Sequence, residues 1–158
     1  MKNIKIISTA FKHNDPIPIE HTYDGEDISP PLSWDGEIPE ETKSFVIMVD
    51  DLNGPNGTFV NWTLFNIPPS IRELSKGIKC MGSFSDGSIH GMNSFGKLGY
   101  GGPCPPNGIH VYNFRIYALD IMLNLNPGIP RYRLDEAIRG HILNKGKLVG
   151  IYKRPKKY

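Results

Sequence analysis

Apolar residues recur along this chain in short runs rich in β-branched and aromatic side chains, punctuated by glycine and proline. The runs Ile4 to Phe11, Ser44 to Val49, Phe59 to Ile67 and His110 to Leu119 each predict a strand. In the third, Phe59, Asn61, Thr63 and Phe65 alternate with Val60, Trp62 and Leu64. Bulky groups then fall on both faces, which predicts a strand covered on both sides. Alternation from residue 110 places His110 and Tyr112 on one face and Val111 on the other. Arg133 to Lys145 carries a helical period instead, with Leu134, Ala137, Ile138, His141 and Ile142 on one stripe between Pro130 and Gly146. Leu148 to Tyr152 reads as a closing strand. One helix among several strands predicts a mainly β fold, a β-sandwich or related antiparallel architecture with a peripheral helix.

Composition narrows this picture. A chain of 158 residues, 39% hydrophobic, is the size of one domain, and no repeat, low-complexity tract or linker divides residues 1–158. Seventeen glycines and 14 prolines imply many turns between short elements. Eighteen basic residues balance 16 acidic ones, and the lysines and arginines are scattered except for the tail Lys153, Arg154, Lys156 and Lys157. That leaves no footprint for nucleic acid, and the tail reads as a solvated end. The N-terminus lacks the apolar run of a signal peptide, and no segment is long enough to span a bilayer, so a cytoplasmic location is expected. Cys80 and Cys104 are too few for a disulfide framework and too isolated for zinc, while a single bridge between them stays open.

Candidate chemistry concentrates in two loops. Asp50 to Gly57 lies between two strands and sets two carboxylates beside a Pro/Gly turn, which suits either a binding group or an Asx turn that merely caps backbone amides. Gly99 to Gly108 leads into the strand at His110, and its glycines and prolines allow close, pre-organised backbone approach to a ligand. His110 and Tyr112 beside that rim can both donate to phosphate or sulfate oxygens; a half-buried histidine satisfied by backbone is the plainer alternative. Asp86, His90 and Ser94 supply triad residue types but lie in a Gly-rich loop without a nucleophile elbow. Neither His13 with His21 nor Cys80 with His90 has a metal-site spacing, so no metal or cofactor is expected. His13 and His21 read as surface or turn residues, and His141 as a satisfied residue at the core edge.

These motifs together resemble the phosphatidylethanolamine-binding proteins over nearly the whole chain. Tyr23 to Trp34, followed by Lys43-Ser44-Phe45, is similar to the opening signature of that family. Asp51 to Pro55 with Phe59 to Pro68 resembles its first central motif, and Pro105 to His110 with Tyr112 its second. The ending, Gly140 to Leu143 and Leu148 to Arg154, resembles the shorter prokaryotic branch of YbhB/YbcL type. The resemblance implies a large antiparallel sheet packed on a smaller one, with a surface pocket for phosphate-like anions or phospholipid head groups. On that pattern the pocket is built around Asp51, Asn61, Pro106, Gly108, His110 and Tyr112, and Gly54-Pro55 is a candidate cis peptide.

The same resemblance implies binding or regulation rather than catalysis, with a kinase or protease as partner and a homodimer as a fitting assembly. Four positions depart from the family pattern: Leu52 stands for a proline, Asn53 for an aspartate, Asn61 for a histidine and Val111 for an arginine. Asn61 can donate a hydrogen bond but carries no positive charge, whereas Asn53 removes a negative charge that would repel an anion. Two other readings follow: a partner-binding protein with a vestigial pocket, or a hydrolase or lyase using His110 as base and Asp51 to orient it.

Overall fold

A computed structural model describes residues 1–156. Its strands are β1 (Ile4–Ile7), β2 (Leu32–Gly36), β3 (Ser44–Gly54), β4 (Gly57–Ile67), β5 (Glu73–Leu74), β6 (Ile89–His90), β7 (His110–Leu119) and β8 (Ile142–Tyr152), with one α-helix, α1 (Arg131–Ile138). They form two antiparallel sheets, a small one ordered β1-β2-β5 and a large one ordered β6-β4-β3-β7-β8. This is the expected mainly β sandwich with a peripheral helix.

The main core lies between the sheets. Ile4, Ile6, Leu32 and Trp34 of the small sheet pack against Phe45, Ile47, Val49, Trp62, Leu64, Phe114 and Ile116 of the large one. On the outer face of the large sheet, Val46, Met48 and Phe65 pack against Leu134 and Ile138 of α1. The central strand β3 is therefore buried on both faces from Ser44 to Asp51, and each large side chain so buried contributes about 1.5–3 kcal/mol.

Strand β4 is covered on both sides as expected, but its alternation is not strict. The pairing steps from Val49↔Trp62 to Asp50↔Val60, and from Phe45↔Ile67 to Ile47↔Leu64, so β4 carries an extra residue near Asn61 and another near Asn66. Such bulges reset which face later residues meet. Phe59 accordingly pairs with Asp51, on the face of Trp62, and not with Thr63 and Phe65.

Three other expectations change. The helix ends at Ile138, not Lys145, because Arg139 is extended and Gly140 has φ +83°; the residues after it belong to β8, which starts at Ile142 rather than Leu148. The first strand stops at Ile7 instead of reaching Phe11. Gly54–Pro55 is trans, since Pro55 fills the first central position of the two-residue hairpin turn closed by Gly54↔Gly57, where a trans proline's fixed φ fits.

Candidate ligand site

Strands β3 and β7 run antiparallel with Asp50 opposite Asn113, so the end of β3 and the start of β7 meet at one edge of the molecule. There His110 Nδ1 lies 2.5 Å from Asp51 Oδ2. The other Asp51 oxygen accepts the Asn53 N–H at 2.9 Å. One carboxylate thus caps the turn, as the Asx reading expected, and also holds an imidazole. With Nδ1–H donated to Asp51, Nε2 is the nitrogen left to meet a ligand, and the His110 side chain is 12% exposed against 5% for Asp51.

Tyr112 lies on the face of His110 and is buried, while Val111 on the other face is exposed, as alternation requires. Burial first, then the charges of Asp51, Cys104 and Tyr152, raise the Tyr112 phenol above the usual tyrosine range. It stays protonated and keeps its hydroxyl as a donor. Pro106 and Gly108 lie in the exposed loop before β7. Gly108 adopts φ +66° with open space around it, a conformation that favours glycine.

Asn61 is placed differently. Its Nδ2 donates to the Gly101 carbonyl at 2.8 Å, and the Gly101 N–H donates back to the Asn61 carbonyl at 2.8 Å. The amide fastens the β4 bulge to the glycine-rich loop, leaving Oδ1 buried without a hydrogen bond among the described residues. An amide oxygen is an acceptor and carries no positive charge, so Asn61 offers no charged donor to an anion at this position.

A cavity of about 600 Å³ is lined by Tyr23, Asp27, Cys80, Asn93, Phe95, Lys97, Leu98, Tyr100 and Gly101. An aromatic wall joins it to the pair: Phe59, opposite Asp51, has its ring 4.9 Å from that of Phe95, which lies 6.5 Å from Tyr23. Arg154 sits over the Tyr23 ring at 5.5 Å and reaches Asp24 at 2.8 Å. Tyr152, opposite His110 in the sheet, donates to Asp24 at 2.6 Å. Sequence reasoning missed this cluster, and assigned Arg154 to a solvated tail; register offers the signal, because Arg154 lies two residues beyond Tyr152 on the strand that flanks His110. Lys157, also assigned to that tail, lies outside the described residues.

Other candidates separate. His90 Nε2 accepts the Trp62 indole N–H at 2.9 Å and its Nδ1 meets the Met81 carbonyl at 2.7 Å, while Asp86 caps Ser88 and Ser94 accepts the Val60 N–H. The three form no triad. His21 is fully buried, not a surface residue, with Nδ1 on the Ile28 carbonyl. His141 lies beyond α1 and pairs with Asp120 at 2.8 Å. Cys80 and Cys104 are not joined by a disulfide. Among the described residues, no cluster of three or more His, Cys, Asp or Glu is placed to hold a metal, and no helix is long and apolar enough to cross a membrane.

Residues 7–153 match the family model described as phosphatidylethanolamine-binding protein. A UPF0098 protein of Methanothermobacter thermautotrophicus is 48% identical over 92% of this chain and 95% of its own length. One from Pyrococcus horikoshii is 46% identical over 94% of this chain and 76% of its own. Among solved structures, a phosphatidylethanolamine-binding protein homologue from Chlamydia trachomatis superposes with a TM-score of 0.87 at 34% identity, covering 97% of this chain and 99% of that one. E. coli YbcL, described as a member of the mammalian PEBP family, gives 0.87 at 26% identity over 98% and 100% of the two chains.

Proposed function

From the chain's place in the phosphatidylethanolamine-binding protein family, to which it belongs, we propose that it is a non-enzymatic binding protein whose His110–Asp51 pocket takes a phosphate-like anion. The single observation that carries this is the 2.5 Å pair between His110 and Asp51 at a partly open edge. The carboxylate fixes the ring's orientation and leaves Nε2 facing the open edge, where a ring N–H is a directed donor for an oxyanion. Tyr112 stands beside it, with Pro106 and Gly108 on the rim and Asn61 behind the glycine loop. A free phosphate, a phospholipid head group or a phosphorylated side chain of a partner such as a kinase presents the same group.

An NMR titration with phosphate, phosphoethanolamine and sulfate tests the proposal. Saturable shifts of the His110 ring and the Tyr112 amide are the expected result, with the Tyr112 shift abolished in His110→Ala. Absence of any shift at millimolar ligand would sink it. The fate of Asn61, spent on Gly101, favours a second reading in which the pocket is vestigial and a partner docks on the outer surface. Partner capture unaffected by His110→Ala and Asp51→Asn would select that reading.

A further inference from the structure

We infer that the outer face of the large sheet carries a second oxyanion site, separate from the His110 pocket, in a cleft of about 220 Å³ lined by Asn3, Arg115, Tyr117, Lys145, Gly146 and Lys147. Strand pairing builds it: Arg115 stands directly opposite Lys147, and Tyr117 opposite Lys145. Alternation puts all four on the face away from Phe114 and Ile116, which fill the main core. Three cationic heads and a phenol hydroxyl therefore share one opening, with no carboxylate in the lining.

Like charges directly opposite each other across a sheet are destabilising, so this pairing needs an explanation. Buried Asp50 offers only partial relief. Its Oδ2 lies 3.5 Å from Arg115 Nε but 3.0 Å from Arg131, with which it is shared. Among the described residues neither Lys145 nor Lys147 makes an ion pair. Glu37, tied to this end of β8 through its carbonyl and Asn144, gives a carboxylate oxygen to the Lys2 N–H. The Asp50 contact does something else: it holds a guanidinium that is only 23% exposed at the cleft floor, a pre-oriented donor fork with mobile lysines around it. The volume suits one phosphoryl or sulfuryl group of a small molecule, bound by charge-assisted hydrogen bonds.

Site-resolved NMR separates this site from the His110 pocket. Inorganic phosphate, and phosphoethanolamine as a monoester, are titrated into the full chain at constant ionic strength, with chloride as control. The expected result is saturable shifts of the Arg115 Nε–H and of the amides of Lys145, Gly146 and Lys147. These persist in His110→Ala and weaken about tenfold in Lys145→Gln/Lys147→Gln, both exposed positions. A monoester that binds while free phosphate does not would identify the source as an esterified group. In Lys147→Glu the phosphate shifts vanish and, at low salt, the thermal midpoint rises as the repulsion is relieved. The inference is overturned if neither phosphate nor phosphoethanolamine gives a saturable shift beyond chloride at these residues, or if the shifts survive the double lysine variant. Loss of the His110 shifts alone would count against the pocket and leave this cleft standing.

Discussion

His90 shows how a single side chain can be fixed by its partners. Its Nε2 accepts the Trp62 indole N–H, so the proton sits on Nδ1 toward Met81, and protonating Nε2 would set two donors against each other. Burial lowers its pKa, against the raising effect of the Met81 carbonyl. The sign follows: below about pH 6.5, the ordinary histidine value, the unfolded chain takes up a proton that the folded chain refuses, so stability is full above that pH and falls with acidification. Denaturant melts from pH 7.5 to 5 should show a shallower fall in His90→Gln than in the parent. Gly146 is fixed by space alone, for a Cβ there would run into the Ile4 carbonyl oxygen. Gly146→Ala is expected to cost about 3 kcal/mol, read as a lowered denaturation midpoint. Neither constraint is legible in the sequence, because each partner lies far along the chain. His21 was misjudged for the same reason: Tyr100, 79 residues on, donates to its carbonyl and helps close the core over it.

At the scale of elements, β7 was fully legible, His110 to Leu119, since its pairing with β3 runs without a bulge from Asn113 to Leu119. Strand β4 was legible as a strand but not in its faces, because a bulge is one extra residue and leaves no mark in an apolar run. Asn66 is the exception that sequence could have offered. It takes φ +56° at the bulge, and its side chain both accepts the Leu123 N–H and donates to the Leu123 carbonyl, each at 2.8 Å. Asn66→Gly keeps the backbone freedom and loses both bonds, at about 1–2 kcal/mol. Asn66→Ala also pays the left-handed strain and should cost about 1 kcal/mol more. Equal losses in the two variants, by chemical denaturation, would show that the conformation is not strained. The first half of β8 was hidden for another reason. Asn144, Lys145, Gly146 and Lys147 carry almost no apolar signal, and the stripe of α1 runs on by chance through His141 and Ile142.

The whole molecule places its polar chemistry on opposite sides of one sheet, and adjacent residues divide the work. Asp51 turns inward along the edge to His110, whereas Asp50 turns to the outer face, where Arg131 of α1 reaches it at 3.0 Å and Arg115 at 3.5 Å. The sequence showed two neighbouring carboxylates, but only the fold assigns one to a ligand edge and the other to a buried ion cluster that ties helix to sheet. Asp50 is fully buried, so removing Arg131 strands its charge. Arg131→Met should therefore cost about 3 kcal/mol. Asp50→Asn in that background should recover a large part, since the unpaired charge disappears with it. A double-mutant cycle by denaturant unfolding measures the coupling, and additive losses would mean that Arg115 alone suffices for Asp50. Phosphate titration of the same variants adds a functional readout. If Asp50 orients Arg115 in the outer cleft, Asp50→Asn weakens phosphate shifts there while the His110 ring responds as before, because the two carboxylates act on separate faces.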